Sequence, residues 1–282
     1  MNAMGSGKWR KSLTSGFLHV FLLVYALICL YPVYFSLISS FKKNDDIFAS
    51  PFALPTSFNW QNYVTALELG NIFRYFWNTL LLAGGTVVLS ALVGAFAAYA
   101  LARFRFRFQG VTLIYFVSGL MIPIQAVIVP LAYIFGQVKW NDNYLVLILL
   151  FTAFMIPMTV FILTGFAKSI PDELEEAAVI DGCGHWRTFW HVIFPLMIPA
   201  IATASTFNFI NTWNNLIFPL IFIKKKELST ISVGLLSFFG ERTSDYGAVT
   251  AATVITLLPP ILIYVLLQEK VEKGLTAGAV KG

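Results

Sequence analysis

The sequence has little charge. Only 12% of its 282 residues are Asp, Glu, Lys or Arg, which is about half of the roughly 25% that is typical of soluble domains. Hydrophobic residues make up 58% of the chain. A chain with so few charges cannot cover a water-facing surface, and this argues against a soluble enzyme, a disordered chain and a nucleic-acid-binding protein. The net charge of +5 therefore bears mainly on which side of a membrane the basic residues lie.

Cysteine and the signatures of catalysis are also scarce. The two cysteines, Cys29 and Cys183, lie far apart, which excludes a disulfide framework and a cysteine metal cluster. The segment Gly5-Ser6-Gly7-Lys8 lacks the earlier Gly and the following Ser or Thr that a phosphate-binding loop requires. The sequence also lacks a His-Glu-x-x-His zinc motif and a Gly-x-Ser-x-Gly elbow. We therefore predict that this chain is not an enzyme and binds no metal or cofactor itself.

Long uncharged stretches dominate the sequence instead. A helix needs about 20 mostly apolar residues to cross the hydrocarbon core, and one charge at its centre costs about 2.5 to 3.5 kcal/mol. We therefore predict an all-α integral membrane protein whose six transmembrane helices form one domain over residues 17–268. The six stretches, none of which contains Asp, Glu, Lys or Arg, are residues 17–40, 75–102, 110–138, 143–167, 192–223 and 246–268.

The distribution of Lys and Arg predicts the orientation. An even number of spans places both termini on one side, and the basic cluster Arg103, Arg105 and Arg107 lies between the second and third stretches. Because Lys and Arg are enriched on the cytoplasmic side, both termini are expected inside. Residues 1–16, the loop 168–191 and a C-terminal tail of residues 269–282 would then be cytoplasmic.

The spans also lack the charged residues Asp, Glu, Lys and Arg. Ion-coupled transporters usually carry such groups within the membrane, where they bind the coupling ion. If this chain moves a solute uphill, its energy must come from another source.

The loop between the fourth and fifth stretches has the pattern of a short helix. Ser169 is a candidate N-cap with Asp172 three residues later, and acidic residues follow in the first turn. Gly182 and Gly184 are candidate stops. Leu174, Ala177 and Ala178 have the spacing of one helical face. From these residues alone, the short helix can equally be a linker that lies on the membrane surface or a helix with a function of its own.

Several motifs carry a family resemblance. The loop resembles the signature loop of ATP-binding-cassette importer permeases, and the other matches resemble the smaller permease of the carbohydrate, maltose-type branch. The matching residues are Glu176-Ala177-Ala178 with Gly182, Val192-Ile193-Phe194-Pro195, Ala97 to Phe104, Met121-Ile122-Pro123, Trp213-Asn214 and Gly274 to Gly282. Val192 and Phe194 are conservative departures from the usual Ile-x-Leu-Pro ending.

The resemblance implies a type I importer permease fold and a division of labour. It implies that the chain lies in a bacterial cell membrane beside a second homologous permease, and that a cytoplasmic ATPase dimer binds the ATP and Mg. An extracytoplasmic solute-binding protein would deliver a sugar. The resemblance assigns contact with the ATPase to five residues of the loop: Glu176, Ala177, Ala178, Asp181 and Gly182.

Polar residues within the spans are candidates for a solute path. Asn208, Asn211 and Asn215 are spaced three and four residues apart, and Gln125 lies between Pro123 and Pro130, where a kink is expected. Amides facing lipid are costly, so these side chains should face the bundle interior or a water-filled path. They are candidates to line that path. They can equally link neighbouring helices or satisfy a kink.

Three other functions stay open on the sequence. The chain could be a structural membrane subunit without a solute path, a permease of the same superfamily for a non-sugar solute, or a secondary transporter. The last is weakened by the uncharged spans. The outer aromatic residues Trp60 and Tyr63 could likewise help to receive a binding protein or anchor the chain at the membrane interface.

Overall fold

A computed structural model describes residues 6–68, 70–239 and 245–279, with side chains for residues 15–68, 70–239, 245–272 and 274. The described residues form helices joined by turns. Residues 1–5 of the predicted N-terminal segment and residues 280–282 of the predicted tail lie outside this description. The helices are α1 (Ser6–Ser39), α2 (Asn44–Ala49), α3 (Gln61–Glu68), α4 (Ile72–Arg103), α5 (Gln109–Ser118), α6 (Ile124–Gln137), α7 (Tyr144–Ala167), α8 (Glu173–Ile180), α9 (His185–Thr188), α10 (Phe194–Leu196), α11 (Ile198–Trp213), α12 (Ile217–Phe222), α13 (Ile231–Leu235) and α14 (Tyr246–Ala279).

Four of the described helices are long and apolar enough to cross a membrane. They cover Ser15–Ser39, Ile72–Arg103, Tyr144–Ala167 and Tyr246–Glu272, in agreement with the first, second, fourth and sixth predicted stretches. Two bent helix pairs bring the number to as many as 6 if each pair is one span. α14 continues as helix to Ala279, so most of the predicted tail prolongs the last helix.

The third predicted stretch is interrupted. Gln109–Met121 and Ile124–Gln137 meet at 89°, because Pro123 has no backbone N–H and disfavours a helical conformation of the preceding residue. Ile122 is accordingly extended, with φ −78° and ψ 114°. Pro130 lies inside α6 without breaking it. The expected kink is therefore a full break, located at Pro123.

The fifth predicted stretch, 192–223, is also not one helix. His185–Leu196 and Ile198–Trp213 meet at 71°, next to Pro195 and Pro199. α11 ends at Trp213, and α12 starts only at Ile217 after a short turn. The second half of the stretch is therefore a separate segment.

Residues 72–236 and 257–279 form one compact unit whose core consists of α4, α7 and α11. Small residues let α4 and α7 approach closely: a Cβ atom on Gly94 would lie 2.4 Å from Thr159 Cγ2. Near the end of α4, Ala95, Ala98 and Tyr99 pack with residues of α7 and with the segment that leads into α11. This closely packed cluster includes Ile170, which precedes α8, and Phe189, which follows it.

Two loops of the same unit are bonded to each other. Asp142, in the left-handed conformation with φ 59°, accepts hydrogen bonds from the backbone N–H groups of Lys224 (2.6 Å) and Lys225 (2.9 Å). Its own N–H donates to the Phe222 carbonyl at 3.0 Å. The Phe135 and Phe222 rings lie 4.3 Å apart between centroids, so the ends of α6 and α12 are held together.

Residues 6–71 and 237–256 form the other compact unit. In it, Lys42 is only 3% exposed, and its ammonium donates to the Ser50 carbonyl at 2.9 Å, just after α2. The Asn62 amide donates to the Ser40 and Lys42 carbonyls. Trp60 packs edge-on against Phe41. These contacts fix the loop that contains Trp60 and Tyr63, the two aromatic residues singled out from the sequence.

Candidate coupling and translocation site

α8 is a short helix with a well-defined end. It runs from Glu173 to Ile180, and Gly182 stops it in the left-handed conformation with φ 79°. The Cys183 N–H bonds the Ala178 carbonyl and the Gly182 N–H bonds the Val179 carbonyl, which is the Schellman arrangement. The predicted stop is therefore confirmed.

The start of α8 differs from the prediction. The Ser169 hydroxyl donates to the Phe166 carbonyl at 2.7 Å, at the end of α7, so Ser169 is not the N-cap. Asp172 occupies the N-cap position but makes no capping hydrogen bond with its side chain. Its carboxylate bonds Arg103 instead. The predicted N-cap Ser169 is therefore wrong, because the Ser169 hydroxyl bonds the end of α7 and the Asp172 carboxylate bonds Arg103.

Arg103 is the central basic residue of this site. It is the last residue of α4, and its side chain is only 9% exposed. It forms ion pairs with Asp172 and with Glu175, where Nε lies 2.9 Å from Oε2, and its Nη2 donates to the Ile170 carbonyl at 2.8 Å. One turn earlier on α4, the Tyr99 hydroxyl donates to the Glu175 carboxylate. α8 is thus attached to the end of α4 by polar contacts.

The opposite side of α8 is open. Ala178 is 7% exposed and packs inward, whereas Glu176, Ala177 and Asp181 are exposed, and Ile180 is 86% exposed. On the side of α8 that faces α4, a groove of about 630 Å³ runs between α8 and the end of α4, and Arg103 and Asp172 line it too. Its lining includes Glu175, Glu176, Val179 and Ile180 of α8, Phe104 and Arg105 after α4, and His185.

The predicted face of Leu174, Ala177 and Ala178 is therefore not a buried face, since only Ala178 is buried.

The five predicted contact residues lie together at α8 and its end. Sequence reasoning missed Tyr99 and Arg103 as part of this site. The only sequence signal for them was their place in the segment Ala97 to Phe104 that resembles the carbohydrate branch.

Asn208 lies at the centre of the helix bundle. It is 1% exposed, and its amide donates to the Ser90 hydroxyl of α4 (2.9 Å) and the Thr159 hydroxyl of α7 (2.8 Å). These hydroxyls donate in turn to the carbonyls of Val87 and Met155 on their own helices. Asn208 thus links three helices through satisfied hydrogen bonds.

The other candidate path residues do not join Asn208. Asn211 is exposed, and its amide donates to the Phe207 carbonyl at 2.8 Å. Asn215 lies beyond the end of α11, where its side-chain oxygen accepts from the Phe218 N–H at 3.1 Å. Gln125 is exposed just after the break at Pro123. In the described part of the chain, no three His, Cys, Asp or Glu side chains lie close enough together to hold a metal ion.

The geometry around Asn208 gives a first testable prediction. We expect Asn208→Leu to leave solute uptake per assembled complex nearly unchanged, because the Ser90 and Thr159 hydroxyls keep their carbonyl acceptors. Two interhelical hydrogen bonds would be lost, at a cost of about 1 kcal/mol in total. Thermal unfolding in detergent and uptake normalised to assembled protein measure the two effects. Loss of uptake with unchanged stability would instead place Asn208 in contact with the solute.

Comparison with known proteins identifies the class of protein that carries this site. Residues 90–277 match the family described as "Binding-protein-dependent transport system inner membrane component", and this chain belongs to that family. A probable ABC transporter permease protein of Bacillus subtilis, YurM, is 35% identical, and the match covers 98% of this chain and 91% of that protein. A diacetylchitobiose uptake system permease protein of Streptomyces coelicolor, NgcG, is 34% identical over 93% of this chain and 88% of that protein.

The solved structures agree on the fold. A chain of a bacterial ABC transporter involved in alginate import superposes with a TM-score of 0.79 at 23% sequence identity, covering 92% of this chain and 97% of that chain. The type I importer permease fold expected from the signature loop is therefore confirmed. The relatives are transporter permeases and not enzymes.

Proposed function

We propose that this chain is a permease subunit of an ATP-driven importer for a mono- or oligosaccharide. It crosses a bacterial cell membrane six times with both termini in the cytoplasm. It forms the solute path with a second, homologous permease, and an extracytoplasmic binding protein delivers the sugar. The ATP and Mg bind to a cytoplasmic ATPase dimer, which acts on this chain through Glu176, Ala177, Ala178, Asp181 and Gly182.

The observation that carries the proposal is the exposure of one face of a firmly attached helix. Glu176, Ala177 and Ile180 face outward from α8, while Arg103 and Tyr99 hold the helix to α4. A partner that binds this face can move α8 as a rigid piece, and α8 can pass the displacement to the spans. The small side chain of Ala177 permits a close approach of the partner.

The choice of a sugar rests on the relatives and on the chemistry of the candidate path. NgcG is named for the uptake of diacetylchitobiose, a sugar. Amide side chains bind sugar hydroxyls through hydrogen bonds. Asn211 and Gln125 are exposed and available for this role, whereas Asn208 is occupied by Ser90 and Thr159.

The buried hydrogen bonds of Asn208 favour a second candidate function, a structural membrane subunit. In such a subunit, the span amides pack helices together and contact no solute. Affinity purification of the tagged chain from its native membranes separates the two. We expect the ATPase and a second permease to co-purify, and proteoliposomes of this complex with its binding protein to take up a labelled sugar from a panel that includes diacetylchitobiose. An amino acid serves as the non-sugar control. Purification of the chain alone would overturn the importer function, and uptake of the amino acid in place of sugars would overturn the substrate class.

A further inference from the structure

α8 cannot be held in place by its own stability. It has eight residues, and isolated helices shorter than about 12 to 15 residues are marginal in water. Among its residues only Ala178 is buried, so apolar packing fixes it weakly. The polar contacts with α4 therefore contribute strongly to the orientation of α8, beside its contacts with α9 and the segment after it.

We infer that Arg103 is the positioning residue of α8: it fixes the helix to the end of α4, so that displacement of α8 by the ATPase moves α4. The inference rests on the proposed function. The guanidinium contacts the chain at three successive points, the Ile170 carbonyl, Asp172 and Glu175. Two guanidinium N–H groups donate to Asp172 and to the Ile170 carbonyl, and Nε adds an ion pair with Glu175 that lacks hydrogen-bond geometry. A planar guanidinium fixes the directions of its donors, which a lysine ammonium on a flexible stem does not do.

Tyr99 adds direction to this attachment. Its hydroxyl donates to the same Glu175 carboxylate from one turn further back on α4. α8 is thus bonded to two successive turns of α4, and a tilt of α8 about Arg103 alone would break the Tyr99 bond. A rigid displacement of both helices keeps all of these contacts.

The contacts of α4 carry the displacement further into the bundle. About three and a half turns before Arg103, Ser90 accepts the hydrogen bond from Asn208 of α11, which also bonds Thr159 of α7. Gly94 keeps α4 and α7 in close contact between these points. The close packing of α4 on α7 therefore connects α8 through Arg103 to the core helices, and the Asn208 bonds add stability to this packing.

Hydrogen exchange of the co-purified complex tests the inference. In the wild type, we expect addition of ATP, Mg and vanadate to change exchange in α8 and in the part of α4 between Ser90 and Arg103. In Arg103→Gln, we expect exchange within α8 to rise about tenfold without nucleotide. The response to nucleotide should then stay in α8 and disappear from α4.

Two comparisons separate positioning from a general loss of stability. Arg107→Gln removes a neighbouring exposed arginine and should behave as the wild type. The double variant Arg103→Gln/Glu175→Gln should match Arg103→Gln alone, since residues that act as one pair are not additive. Without nucleotide, exchange in α7 should stay unchanged in every variant.

Three outcomes would overturn the inference: an α4 that still responds to nucleotide in Arg103→Gln, a wild-type α4 that does not respond at all, or additive effects of the two substitutions. Failure of the proposed function is distinguishable, because then no ATPase co-purifies with the wild type. The rise of exchange within α8 in Arg103→Gln would still be measurable in that case.

Discussion

Replacement of Glu176 by lysine should abolish solute uptake and the co-purification of the ATPase, while the chain remains inserted in the membrane. Glu176 is exposed on α8 and lines the groove beside Val179 and Ile180. It is not one of the carboxylates that hold Arg103. The substitution therefore changes the surface offered to a partner and leaves the attachment of α8 intact.

The expected cost of this change to the chain itself is small. Glu176 lies in the first turn of α8, where an acidic side chain favours the helix dipole by about 0.3 to 1 kcal/mol. A partner whose binding groups are basic or polar would instead meet a reversed charge, and an interfacial charge left unpaired costs about 2 to 5 kcal/mol. Such a loss lowers the affinity by more than tenfold.

Glu173→Lys is the matched control for this variant. Glu173 is an exposed acid in the same first turn, so its replacement by lysine changes the net charge and the interaction with the helix dipole as Glu176→Lys does. Unlike Glu176, it does not line the groove. We expect this control to keep its ATPase and its uptake. Membrane insertion is checked by extraction and size-exclusion chromatography. Normal uptake by Glu176→Lys would contradict the proposal that the ATPase contacts α8.

Replacement of Gly94 by leucine should destabilise the unit built on α4 and α7 more than any surface change. Even a Cβ atom at this position would lie 2.4 Å from Thr159 Cγ2 and 3.1 Å from its Cβ. Thr159 is β-branched, is fully buried and accepts from Asn208, so it cannot rotate away freely. The two helices must separate, and overpacking of this kind costs about 1 to 3 kcal/mol or more.

Gly84→Leu provides the comparison on the same helix. A Cβ atom there meets no atom within 4 Å, and the helix propensity changes equally at both positions. We expect Gly84→Leu to unfold at or above the wild-type temperature in detergent, and Gly94→Leu to unfold at a clearly lower temperature or to accumulate poorly. Equal unfolding temperatures for the two variants would contradict the close packing of α4 on α7.

The locations of the apolar helices could be predicted because their main determinant is local. Uncharged stretches of sufficient length located α1, α4, α7 and α14. The breaks were harder to place. Pro123 and Pro130 have the same local effect on a helix, but of the two only Pro123 breaks the helix. The choice between them depends on tertiary packing, which a single sequence does not contain.

The site residues also differ in how far their roles could be predicted from local sequence. Gly182 was predictable as a helix stop, since a left-handed residue after a helix favours glycine. The partners of Arg103 were not, because Asp172 lies 69 residues further along the chain. Asn208 and Asn211 are three residues apart, yet one is buried and the other exposed. A spacing of three leaves the two side chains about 60° apart around the helix, which is enough to move one of them off the inner face.

The bonded loops around Asp142 have a mechanical consequence. α6 follows the break at Pro123, and α12 follows the turn after Trp213. Asp142 and the Phe135–Phe222 contact join the far ends of these two segments. These contacts tie α6 and α12 to each other, and both pack against Leu147 and Phe151 of α7. A displacement of either segment is therefore expected to move the other with it.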